Sequence, residues 1–122
     1  MKIKIVVWAP NKNISVYADA ETKDFTIGVQ KINRDVELFV RNAIAIVSSW
    51  PDSLVDDSKC DGVKYKIAYF DGVNTRQIVG LNKKPDNFPE LISLIEQFNS
   101  KTEINNLKQK FLQTIKAEIG LL

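Results

Sequence analysis

The chain has no histidine, and that absence removes more function classes than any residue present adds. Imidazole is the usual general base near neutral pH and the commonest side-chain ligand for zinc. Without it, Ser-His-Asp and Cys-His nucleophilic catalysis are excluded, which leaves carboxylate, lysine or tyrosine mechanisms. Cysteine is nearly absent as well. The single thiol, Cys60, permits no intramolecular disulfide and no cysteine-rich zinc site, and it suits a reducing, cytoplasmic setting. Glycine numbers only five, with none in a phosphate-cradling run. Long apolar runs are missing too: no window approaches the roughly 18 residues of a membrane span, and the run at 5–9 is shorter than a signal-peptide core. The expectation is a soluble chain without membrane contact. Nor does either sign of charge dominate. The net charge is +2, and residues 1–60 carry 8 basic and 8 acidic side chains, so neither half is built to attract phosphate.

What is present reads as an α+β domain. Lys2 and Lys4 alternate with Ile3, Ile5 and Val7, a strand with one wet face that turns apolar at Val6 and Trp8. A Pro10–Asn13 turn precedes a second strand over 14–18, and Phe25, Ile27 and Val29 mark a third. The period then changes. Val36, Phe39, Val40, Ala43, Ile44 and Val47 recur at three and four, predicting a core-facing helix capped by Asn33 and stopped before Pro51. Residues 51–62 form an aspartate-rich loop that lacks the alternating oxygens, central glycine and closing glutamate of a calcium loop, so no metal and no cofactor is implied.

The stretch 63–80 reads as a hairpin around Asp71-Gly72. A two-residue loop pairs Ile67 with Arg76; a four-residue loop pairs Ile67 with Ile78. Either register sets Val63, Tyr65, Ile67, Tyr69 and Ile78 on one face, against Lys64, Lys66, Thr75 and Gln77 on the other. Asn87-Phe88-Pro89-Glu90 has the form of a capping box and opens a helix whose stripe is Phe88, Leu91, Ile92, Ile95 and Phe98. A second such box at Ser100–Glu103 opens a closing amphipathic helix that runs to Gly120. The expected fold is an antiparallel sheet of about five strands with three helices, in the order β-β-β-α-β-β-α-α, as a single domain over 1–122.

Three functions compete. The leading one is a non-enzymatic module that binds another protein, an inhibitor or immunity-type protein, with Trp8, Asn11, Lys12, Tyr17, Lys64 and Lys66 as contact candidates. A homodimer contact through the closing helix is a further possibility, and Trp50 is assigned to the core. The second is a small-ligand or carboxylate-based enzyme domain, which requires a deep pocket lined by Tyr65, Tyr69 or Arg76; no spacing singles out a catalytic pair from the carboxylates, and no catalytic residue is assigned. The third is nucleic-acid binding, which requires Lys64, Lys66, Lys83 and Lys84 on one surface. It is disfavoured because Tyr65 and Tyr69 alternate with the lysines and point to the opposite face.

The stretch 61–98 carries Asp61-Gly62-x-x-Tyr65-x-Ile67, a second strand, and Asn82-Lys83-x-Pro85-x-Asn87-Phe88 leading into a helix. In these residues it resembles a recurring pattern of small, mostly uncharacterised bacterial proteins. Its layout of strands, helix, hairpin and helix is similar to that of emfourin-like protein inhibitors of metalloproteases. The resemblance implies a protein inhibitor of bacterial or phage origin. It is made of turn, cap and core residues and carries over no functional residue.

Overall fold

The computed structural model describes residues 1–10, 12–56 and 62–99. The class is α+β, but the sheet has seven strands and, among the described residues, two helices accompany it. Strands β1 (Lys2–Ala9), β2 (Lys12–Asp19), β3 (Asp24–Ile27) and β4 (Gln30–Asn33) precede helix α1 (Glu37–Val47). Then come β5 (Ser53–Val55), β6 (Lys64–Phe70), β7 (Thr75–Leu81) and a helix α2 over 88–99. The strand order is β4-β3-β2-β1-β6-β7-β5, antiparallel except for the β5–β7 pair. The expected closing helix lies outside the described residues.

Both extra strands correct the five-strand expectation, and each has a local cause. The third strand was expected to run through Val29 with that side chain inward. Instead Gly28, at φ 60°, turns the chain within a two-residue loop, and Val29 stands fully exposed at its tip. Glycine at the first central position is what a II′ hairpin turn requires. The chain returns as β4, pairing Phe25 with Ile32. Asn33 therefore ends a strand and does not cap α1. The cap position is Val36, which offers no side-chain cap; Asp35 just before it accepts the Glu37 amide on Oδ1 at 3.0 Å. The second extra strand lies in the expected polar loop. Ser53–Val55 adds to the edge beside β7 through bonds from the Val79 amide to the Asp52 carbonyl (2.9 Å) and from the Asp56 amide to the Leu81 carbonyl (3.0 Å). Three residues are too few to show a period, so only tertiary context selects this strand.

The β6–β7 hairpin takes the four-residue alternative, pairing Ile67 with Ile78 and Phe70 with Thr75. Asp71 folds the loop by accepting the Val73 and Asn74 amides at 2.8 and 2.7 Å, with Gly72 at φ 105°. This is an Asx-type turn and not the two-residue turn the Asp-Gly dipeptide alone suggests.

One face of the sheet builds the core. Ile3, Ile5 and Val7 of β1, Val16 and Ala18 of β2, Phe25 of β3, Tyr65 and Ile67 of β6 and Ile78 of β7 are all buried there. They meet Phe39, Val40, Ala43 and Val47 of α1, and Phe88, Leu91 and Ile95 of α2. Full burial of such a side chain contributes about 1.5–3 kcal/mol, so the period-two pattern fixes which face turns inward. At one end of the core Trp50, Tyr65 and Phe88 pack as an aromatic cluster with centroids 5.3–5.9 Å apart. Trp50 is buried, as expected. Its indole N–H donates to Asn87 Oδ1 at 2.6 Å, while Asn87 Nδ2 donates to the Ile46 carbonyl at 3.2 Å. The expected capping asparagine thus ties the end of α1 to the start of α2.

Candidate functional site

Both helices cover the same face, and the opposite face of the sheet is built from the alternate residues of the same strands. Its central pair of strands presents four cross-strand couples: Lys2 with Phe70, Lys4 with Ala68, Val6 with Lys66 and Trp8 with Lys64. Each couple joins one lysine to one apolar side chain. Outward along β7 and β5 the face continues with Thr75, Gln77, Val79 and Leu81, then Ser53 and Val55. On the other side β2 contributes Asn13, Ser15, Tyr17 and Asp19, and β3 contributes Thr26 and Asp24.

Four large apolar side chains of this face stay partly open to water: Trp8 at 42%, Val55 at 49%, Val79 at 39% and Leu81 at 38%. Trp8, Leu81 and Val55 fall in one row across the strands, with Lys64 between the first two. Lys64 Nζ lies 5.4 Å from the Trp8 ring centroid, a cation–π contact worth about 0.5–1 kcal/mol at an exposed site. Toward the other end of β1, two hollows meet at Lys4 and Ala68. The first, about 480 Å³, is lined by Lys2, Lys4, Tyr17, Ala68, Phe70 and Thr75; the second, about 270 Å³, by Lys4, Val6, Trp8, Lys66 and Ala68. Ala68 is the reason a trough exists, because its methyl leaves low ground between longer neighbours.

The face is also electrically uneven. Lys2, Lys4, Lys64 and Lys66 are all exposed on β1 and β6. Among the described residues no ion pair engages Lys4, Lys64 or Lys66. The acidic groups sit at the β2–β3 end, occupied within their own turn. Asp19 accepts the Glu21 and Thr22 amides at 2.9 and 3.4 Å and the Tyr17 hydroxyl at 3.2 Å; Asp24 accepts the Thr22 hydroxyl at 2.9 Å. Burial pushes the Asp19 carboxyl up, but those two amides, the Tyr17 hydroxyl and Lys2 outweigh it and hold the group below the usual carboxylate range. The Tyr17 phenol is pushed up, first by burial and then by the Asp19 charge, so it stays a neutral donor to Asp19.

Of the six candidate contact residues, Trp8, Tyr17, Lys64 and Lys66 meet on this one face. Asn11 lies outside the described residues. Lys12 begins β2 opposite Ala9, and its side chain is not described. The residues expected to line a deep pocket are engaged in structure. Tyr65 is enclosed in the aromatic cluster with its hydroxyl donating to the Lys83 carbonyl at 3.1 Å, and Tyr69 is buried, contributing to the wall of the first hollow. Arg76 grips the end of α1, donating to the Ser48 carbonyl at 2.9 Å, the Trp50 carbonyl and Asp52 at 2.8 Å. The four-lysine cluster does not form as expected, since Lys84 lies over Phe88 on the helical side, 5.8 Å from its centroid. Val6, Phe70, Val79 and Leu81 were missed, although the alternation Ile78-Val79-Gly80-Leu81 already sets Val79 and Leu81 on the lysine side. The argument that aromatics and lysines face opposite ways holds for Tyr65 and Tyr69 but not for Trp8, Tyr17 and Phe70, which arrive from other register positions.

Among the described residues no group of three or more acidic or cysteine side chains could hold a metal ion. No described helix is long and apolar enough to cross a membrane. Compared with protein-family models, with curated proteins and with solved structures, the chain matches none.

Proposed function

We propose that the chain is a non-enzymatic protein-binding module that docks an acidic, partly apolar surface of a partner protein on the open face of its sheet. The observation that carries this reading is the row Trp8–Lys64–Leu81–Val55, in which three large apolar side chains remain 38–49% exposed beside a lysine that, among the described residues, has no ion-pair partner. Single exposed apolar residues are ordinary, but a row of three with a tryptophan at one end and a lysine within it has the composition of a contact patch. Charge complementarity supports an acidic partner, because the lysines on β1 and β6 are exposed while the carboxylates of the face are held within their own turn. Inhibition or neutralisation of the partner, the role implied by the emfourin-like layout, is the action that such one-sided docking would take.

The test uses a photo-cross-linking residue at position 8 and, separately, at position 38, since Leu38 is exposed on α1. In the native host, one protein is expected to cross-link from position 8 and not from position 38. The purified pair should then form a complex that Trp8→Ala weakens by about thirtyfold or more, as for a tryptophan hot spot. A partner that cross-links from position 38 alone, or a complex indifferent to Trp8→Ala, overturns the reading.

A further inference from the structure

We infer that the trough between β1 and β6 receives an extended, acidic segment of the partner, laid along the sheet face with carboxylates on Lys4 and Lys66 and an apolar side chain over Ala68. This rests on the docking reading above and names its occupant. The two hollows adjoin at Lys4 and Ala68, and their linings together extend from Trp8 to Phe70, with an aromatic ring at each end. Along it the lysine changes sides, from β1 at Lys2 and Lys4 to β6 at Lys66 and Lys64, and an apolar residue stands opposite each. Outward side chains on a strand repeat at about 6.8 Å, twice the rise per residue. An extended segment has the same two-residue repeat, so acidic and apolar side chains along one of its edges come into step with the lysine and apolar rows. Exposed lysines that pair with no carboxylate among the described residues supply the attraction, and the Ala68 floor supplies room for one apolar side chain.

Single-stranded nucleic acid is the competing polyanion, and two observations weigh against it. Val6, Val79, Leu81 and Val55 offer aliphatic surface that neither stacks with bases nor hydrogen-bonds to them. The cations are all lysines: Arg76 grips α1, Arg41 pairs with Glu37 on α1, and Arg34 lies over Phe98, so the face lacks the forked donor favoured for phosphate.

The experiment selects a random ten-residue peptide library on the purified full chain, then measures the enriched peptides and a twelve-residue oligothymidylate by fluorescence anisotropy. Enriched peptides are expected to be net negative, with Asp or Glu at alternate positions. Their affinity should fall about tenfold or more with the double substitution Lys4→Glu and Lys66→Glu, a loss of about 1.4 kcal/mol or more for the pair of reversed charges. It should also weaken several-fold between low and high salt. Lys23→Glu on the β2–β3 turn serves as the control for net charge and should leave binding within about twofold. No enrichment, a neutral or basic consensus, equal binding by the double variant, or tighter binding of the oligothymidylate each overturns the inference. If the cross-linked partner needs Trp8 while the trough substitutions change nothing, this inference fails alone; if the partner sits on the helical layer, the docking reading fails with it.

Discussion

At the scale of single residues, Gly80 shows how far a side chain's meaning depends on its neighbour across the ladder. In the sequence it reads as punctuation at the end of a strand. In the fold it sits inside β7 opposite Tyr65, and a Cβ there would lie 2.0 Å from Tyr65 Cζ. That ring cannot swing aside, because it is packed against Trp50 and Phe88 and its hydroxyl is bonded to Lys83. Gly80→Ala is therefore expected to destabilise the protein by about 2–3 kcal/mol, as overpacking does in a filled core. Trimming Tyr65 to leucine in the same chain should recover part of that loss, and a double-mutant cycle in urea would measure the coupling. Equal destabilisation with and without Tyr65 would show that the glycine acts through the backbone alone. Asn87 carries a similar lesson. Its position three residues before Glu90 suggests a cap, yet its amide bridges the Trp50 indole and the Ile46 carbonyl. Asn87→Ala leaves both without that partner, and the expected cost is about 1–3 kcal/mol in denaturant melts. Loss within about 0.3 kcal/mol, the scale of a glycine or weak cap exchange, would rule out the bridge as a stabilising contact.

At the scale of elements, legibility followed length and period. Helix α1 and strands β1, β2, β6 and β7 declare themselves because each has enough residues to repeat an apolar pattern. Strands β4 and β5 do not, since Gln30–Asn33 and Ser53–Val55 are short edge segments held by bonds to a neighbour. Arg76 belongs to the same lesson, for nothing in the hairpin sequence says that its guanidinium will meet the carbonyls left open at the end of α1. Lysine offers one ammonium where three acceptors are spread around a planar fork, so Arg76→Lys is expected to cost about 1–2 kcal/mol and Arg76→Ala about 2–3 kcal/mol in thermal or urea unfolding. Equal stability of wild type and Arg76→Lys would refute the forked grip. The hairpin loop gives a pH prediction. The Asn74 amide first, and then the Val73 amide, hold the Asp71 carboxyl below its ordinary value of 3.8. A depressed folded-state value means that the unfolded chain binds the proton first. The stabilisation is thus complete above the unfolded pKa and is lost as pH falls through the folded one. Asp71→Asn keeps an acceptor without a titrating charge, so its stability deficit at pH 7 should shrink below about pH 4, and a deficit independent of pH would contradict the assignment.

At the scale of the whole molecule, the described helices cover one side of the sheet only, and the two sides of each strand should answer mutation differently. Residues 78 and 79 offer the sharpest contrast, being neighbours in sequence with opposite surroundings. Ile78 is wholly buried under the helices, whereas Val79 stands 39% exposed between Lys66 and Ser53 on the open face. Ile78→Ser removes buried methyl groups and sinks a hydroxyl into the core, a combined loss of about 3–5 kcal/mol. For a domain of this size that lowers the melting temperature by more than about 10 °C. Val79→Ser loses only part-buried surface and some β preference, so the expected cost is within about 1 kcal/mol. The docking reading adds the reverse order for binding. Among variants that remain folded by circular dichroism, Val79→Ser and Leu81→Ser should weaken the partner complex, while Leu38→Ser on the exposed flank of α1 should leave it unchanged. The open face thus carries exposed apolar side chains that the fold itself does not require, and a chain in which Val79→Ser and Leu81→Ser melted as low as Ile78→Ser would show that this side is already covered.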